Sequence, residues 1–125
     1  MFEQSYSFTF EAAHELGQNV EDTPDHPYSH VHGHSFEVTV ILGANRVGEK
    51  GWVMDFPQLR AACQKLHDLL DHRFLNHIEG LERPTLENLA LFIHERLSSP
   101  LPALSSVEVA RPSLRERVRY SPSSH

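Results

Sequence analysis

Hydrophobic periodicity changes twice along this chain, from a repeat of two to a repeat of about 3.6 and back again, and that order limits the folds open to it. Residues 2–10 alternate, with Tyr6, Phe8 and Phe10 on one side and Ser5, Ser7 and Thr9 on the other, which predicts a strand. Residues 16–31 are rich in Gly, Asn, Asp, Pro and His and read as a long loop. Residues 34–43, HSFEVTVILG, have the β-branched and aromatic content of a second strand. A helix is predicted from Asp55, whose side chain can cap the first turn, with Pro57 tolerated inside that turn and Gln58 three residues on. Phe56, Leu59, Cys63, Leu66 and Leu70 then form its apolar stripe. Thr85 starts a second helix with Leu86, Leu89, Ala90, Ile93 and Leu97 on its buried side, and Pro100 and Pro102 end it. Residues 105–111 and 115–120 read as two closing strands.

Two strands, two helices and two strands predict an α+β fold. Four antiparallel strands with both helices on one face would bury both helical stripes. The sheet keeps two open edges and an uncovered face, which favours a homo-oligomer. A length of 125 residues suits one domain, placed at 1–120, with 121–125 expected to be a disordered tail.

The net charge of -6 argues against nucleic acid as the partner. The one basic cluster is Arg111, Arg115, Arg117 and Arg119, which strand alternation would align on one face, where they could equally meet carboxylates of a neighbouring subunit. A single cysteine rules out an intrachain disulfide and points to a reducing, cytoplasmic setting. No signal peptide or membrane-spanning run is read from the sequence.

Ten histidines in so short a chain are the main chemical clue. His32 and His34, with Gly33 between them, open the second strand, where residues two apart share a face. His14 follows the first strand, and a hairpin of the two strands would bring it to the same face. Three neutral imidazoles suit zinc and leave a fourth position open.

The segments FTFEAAH, HGHSF, WVMDF, LDHRFLN and PTLENLA, in this order, resemble the 6-pyruvoyl- and 6-carboxy-tetrahydropterin synthase family. The resemblance runs from Phe8 to about Arg111. It implies the T-fold, assembled into barrel-like rings, commonly hexamers, with active sites between subunits. It implies zinc at His14, His32 and His34, and a lyase acting on dihydroneopterin triphosphate or a related pterin. It places the family's proton-transferring Asp-His pair on Asp71 and His72, and its pterin pocket on Pro84, Thr85 and Glu87.

Two positions depart from the family. Its catalytic cysteine corresponds to Tyr28, a phenol that titrates near pH 10. The nearby options are Asp25, His26 and His30; His26 or His30 could act as base, and His30 could also approach the metal. The glutamate that anchors the pterin corresponds to Arg111. Guanidinium offers only donors and prefers carboxylate or phosphate. Glu108 is no replacement, because its odd offset from 111 puts it on the opposite face. The ligand is therefore a pterin bound differently, or another small anion, or Arg111 pairs with an acid across a subunit boundary. A catalytically silent protein that binds only metal, ligand or partner is the remaining alternative.

Overall fold

The structure is a computed structural model that describes residues 1–23 and 25–122; of Tyr28 it describes the backbone alone. The Tyr28 side chain and residues 123–125, most of the tail, lie outside the described residues. Strand β1 spans Phe2–His14 and β2 spans His32–Ala44. Helix α1 covers Phe56–Leu70, and a two-residue strand β3, Arg73–Phe74, follows it. Helix α2 is Leu86–Leu97, β4 is Leu104–Arg111 and β5 is Glu116–Tyr120.

The sheet order among the described residues is β3-β1-β2-β4-β5. The four long strands are antiparallel, as the periodicity predicts, and β3 adds a short parallel pairing at the β1 edge. In the β1–β2 hairpin His14 stands opposite His32, Ala12 opposite His34 and Phe10 opposite Phe36. Even-numbered residues of both strands therefore share one face. Odd-numbered residues of β4 join that face, because Val109 pairs with Val38 and Val107 with Val40.

Both helices cover this inner face, α1 against β1 and α2 against β4 and β5. The core unites Phe10, Phe36, Val38, Val40, Leu42, Val107 and Val109 with the helical stripes. Phe10 and Phe36 stack with centroids 5.0 Å apart. In α1, Leu59, Cys63, Leu66 and Leu70 are buried, but Phe56 is exposed. Asp55 occupies the capping position without a side-chain cap bond, whereas Thr85 Oγ1 accepts from the Asn88 N–H at 3.1 Å as predicted.

The four arginines do not share one face. Arg111 points inward, while Arg117 and Arg119 lie outward against Glu108, at 2.8 and 3.8 Å. The cause is the tight connection at Pro112–Leu114, closed by Arg115 in the left-handed region (φ 58°). It sets Arg111 opposite Glu116, so inward positions change from odd on β4 to even on β5.

Candidate metal centre

The inner face changes character at one end of the hairpin. Beyond the Phe10–Phe36 pair, its next side chains are His14, His32 and His34, whose rings lie 4.6 to 5.0 Å apart by centroid. One ligand nitrogen from each falls within 4.8 Å of the others, the one such group of His, Cys, Asp and Glu found among the described residues. Register explains the convergence. His14 and His32 face each other across the ladder, and His34 lies two residues further along the same face.

Two backbone carbonyls orient the rings. His14 Nδ1 lies 3.0 Å from the Pro84 carbonyl, and His32 Nδ1 lies 2.8 Å from the His30 carbonyl. Carbonyls only accept, so each Nδ1 carries the proton and each Nε2 keeps its lone pair. Nε2 of His14 and of His34 is buried without a hydrogen-bond partner among the described residues. Such orphaned acceptors are costly in a folded core. Converging on one another, they fit a cation. Burial lowers the pKa of His14 from 6.5 to about 4, and lowers that of His34 too, so both rings are neutral as ligands must be. The donor set of three imidazoles suits zinc.

Arg111 lies one residue beyond the Glu37–Ala110 pair, on the same inner face. Its side chain is 14 % exposed, and Nη2 contacts Glu116 Oε1 at 3.0 Å. The acid it meets is therefore on the next strand of its own chain. Sequence reasoning missed Glu116, although its place at the start of β5 would have revealed it once the turn length was known.

Asp71 and His72 stand at the end of α1. His72 Nδ1 lies 2.8 Å from Asp71 Oδ2, and the Glu11 N–H donates to Asp71 Oδ1 at 2.9 Å. The Glu11 amide and then His72 hold the Asp71 carboxyl below its usual range. His72 adopts φ 58°, which non-glycine residues seldom do, fixed by donation of its N–H to the Glu11 carbonyl at 2.6 Å. Its side chain is 79 % exposed. It borders an open cavity of about 700 Å³ lined by Glu11, Ala13, Gly33 and Ser35 of the outer face and by Ala12 and His34 of the inner one. The cavity therefore reaches from the Asp71–His72 pair to one of the three histidines.

Thr85 is half-buried as the cap of α2, and Glu87 is exposed in its first turn. Of the loop candidates, His26 is half-buried and His30 exposed, and neither ring joins the cluster. His30 contributes through its carbonyl. No helix among the described residues is long and apolar enough to cross a membrane.

Comparison with known proteins agrees with this geometry. The family described as 6-pyruvoyl tetrahydropterin synthase matches residues 3–123. The chain is 41% identical over 110 residues to 6-carboxy-5,6,7,8-tetrahydropterin synthase of Synechocystis sp., covering 82% of this chain and 80% of that one. It is 37% identical over 111 residues to dihydroneopterin monophosphate aldolase of Pyrococcus furiosus, covering 89% and 86%. Among solved structures, 6-pyruvoyl tetrahydropterin synthase of Caenorhabditis elegans superposes with a TM-score of 0.84 at 26% identity, covering 98% and 96%.

Proposed function

The chain belongs to the 6-pyruvoyl tetrahydropterin synthase family of pterin enzymes, with its T-fold, and from that premise we propose a zinc-dependent lyase acting on dihydroneopterin triphosphate or a related pterin. One observation carries the reading: the His14 and His32 rings are each oriented by a backbone carbonyl so that Nε2 is free, beside a third unpartnered Nε2 on His34. His14, His32 and His34 would hold the metal. When bound, zinc supplies a Lewis acid that polarises a substrate hydroxyl and favours its deprotonated form.

The rest of the chemistry falls to the chain's own groups. Asp71 accepts from His72 Nδ1, which leaves His72 Nε2 as an exposed proton acceptor. Asp71 is itself locked by the Glu11 amide, so the imidazole keeps one orientation. Glu87, exposed in the first turn of α2, would accept from N–H donors of the ring, with Thr85 beside it. His26, Tyr28 and His30 remain the loop candidates for the second proton transfer. The open sheet, with strand edges left unpaired among the described residues, supports a homo-oligomer, a hexamer by the family's habit, with the site completed between copies.

Arg111 favours a second reading, in which the same centre serves a different, anionic small molecule. Its guanidinium replaces the family's anchoring carboxylate, and its Nε is buried without a partner among the described residues. A carboxylate or phosphate would satisfy it bidentately.

Product analysis with dihydroneopterin triphosphate separates these. The first reading predicts zinc-dependent turnover by the wild-type protein, with Tyr28→Cys altering the product distribution. Turnover seen only in a Tyr28→Cys, Arg111→Glu double variant would overturn it in favour of the second. No turnover by either protein, with zinc bound, would leave a silent metal-binding relative.

A further inference from the structure

The Pro84 carbonyl is the group that orients His14, yet proline has no N–H with which to anchor itself. Its position depends on the two residues before it, and both of their carbonyls are held by asparagine side chains. Asn88 Nδ2 donates to the Arg83 carbonyl at 2.8 Å, and Asn76 Nδ2 approaches the Glu82 carbonyl at 3.4 Å. Asn76 also grips the residue that follows His14. The Glu15 N–H donates to Asn76 Oδ1 at 2.9 Å, and Asn76 Nδ2 donates to the Glu15 carbonyl at 2.8 Å and to Glu15 Oε1 at 3.2 Å. One planar amide thus reads both backbone groups of Glu15, as a neighbouring strand would, just where β1 ends.

From these contacts we propose that Asn76 and Asn88 are positioning residues of the metal centre. Asn76 ties the backbone that carries His14 to the segment that carries its acceptor. Asn88 fixes that segment from the first turn of α2. Together they set the distance between ring and carbonyl, and so the tautomer and direction of His14. The inference rests on the reading that the three rings hold zinc. Losing a group that orients a ligand's second nitrogen typically weakens metal binding roughly 10- to 100-fold. Neither side chain belongs to the three-ring cluster, so they act through His14 and not on substrate.

The test is zinc affinity, measured by competition with a chromophoric chelator on stripped protein, with the cobalt(II) absorption spectrum as a second readout. Asn76→Asp keeps the shape and the acceptor for the Glu15 N–H but removes every donor. It should weaken zinc binding by roughly 10- to 100-fold and shift the cobalt bands while the far-UV spectrum is retained. Asn88→Ala, an exposed position expected to fold normally, should weaken binding by a smaller factor in the same direction. Wild-type affinity in both variants, with lowered thermal midpoints alone, would reduce the two amides to structural roles and overturn the inference. Should Asn76→Asp fail to fold, unchanged affinity in Asn88→Ala is sufficient to overturn it. Failure of the wild-type protein to bind zinc refutes the underlying reading instead, and is distinguished by that control.

Discussion

His14 is the residue on which the account turns, and its titration is open to measurement. Burial is the largest cause of its lowered pKa, opposed by the Pro84 hydrogen bond and reinforced by His32, His34 and Arg111. The unfolded chain's imidazole titrates near 6.5 and the folded one at about 4, so between these values the unfolded state binds more protons. Stability is therefore fully present above pH 6.5 and falls as the pH drops toward 4. His34 is shifted in the same direction and adds to the slope. Asp68 and Asp71 are shifted below 3.8 and titrate outside this window. For metal-free protein kept in chelator, the urea midpoint should decline steadily from pH 7 to pH 4.5, and His14→Gln should flatten the decline. An identical slope in that variant would show that His14 is not the buried base. None of this is legible from the residue letters. A histidine after a strand signals a candidate ligand, but the carbonyls of Pro84 and His30 that set its tautomer are backbone groups and carry no residue signature.

At the scale of elements, α2 shows why some features could be read and others not. Thr85 caps the helix through Asn88 N–H, and Leu86, Leu89, Ala90, Ile93 and Leu97 are all buried. Thr85→Ala should cost about 1 kcal/mol and Thr85→Ser much less. Leu89→Ala, at a fully buried position, should cost about 2–5 kcal/mol, both measured by chemical denaturation. A Leu89→Ala loss comparable to that of Thr85→Ala would mean that the stripe is not packed as described. The helices and the four long strands were legible because periodicity records burial directly. Strand ends were not. Ala12 and Ala13 lack strand-like side chains, yet β1 continues to His14 because β2 supplies backbone partners along its whole length. The two-residue β3 is too short for any periodicity, and the Arg111–Glu116 pair depends on a turn length that side-chain patterns do not encode.

Across the whole molecule, the functional end of the sheet gathers groups from distant parts of the chain: His14 from β1, His32 and His34 from β2, the Pro84 carbonyl from the segment before α2, and Arg111 with Glu116 from β4 and β5. The family resemblance and the H-x-H spacing made the three histidines visible beforehand, whereas the Glu11 amide that holds Asp71 needed coordinates. Any ion bound by the three rings cross-links β1 and β2, so it stabilises the native state the more, the tighter it binds. The direct measurement is metal content, with zinc titration of stripped protein followed by thermal unfolding, for the wild type and His32→Ala. The account predicts one zinc per chain in the wild type, a thermal midpoint that rises with added zinc, and loss of both in His32→Ala. Full zinc occupancy in His32→Ala, or a wild-type protein whose midpoint ignores zinc, would contradict it.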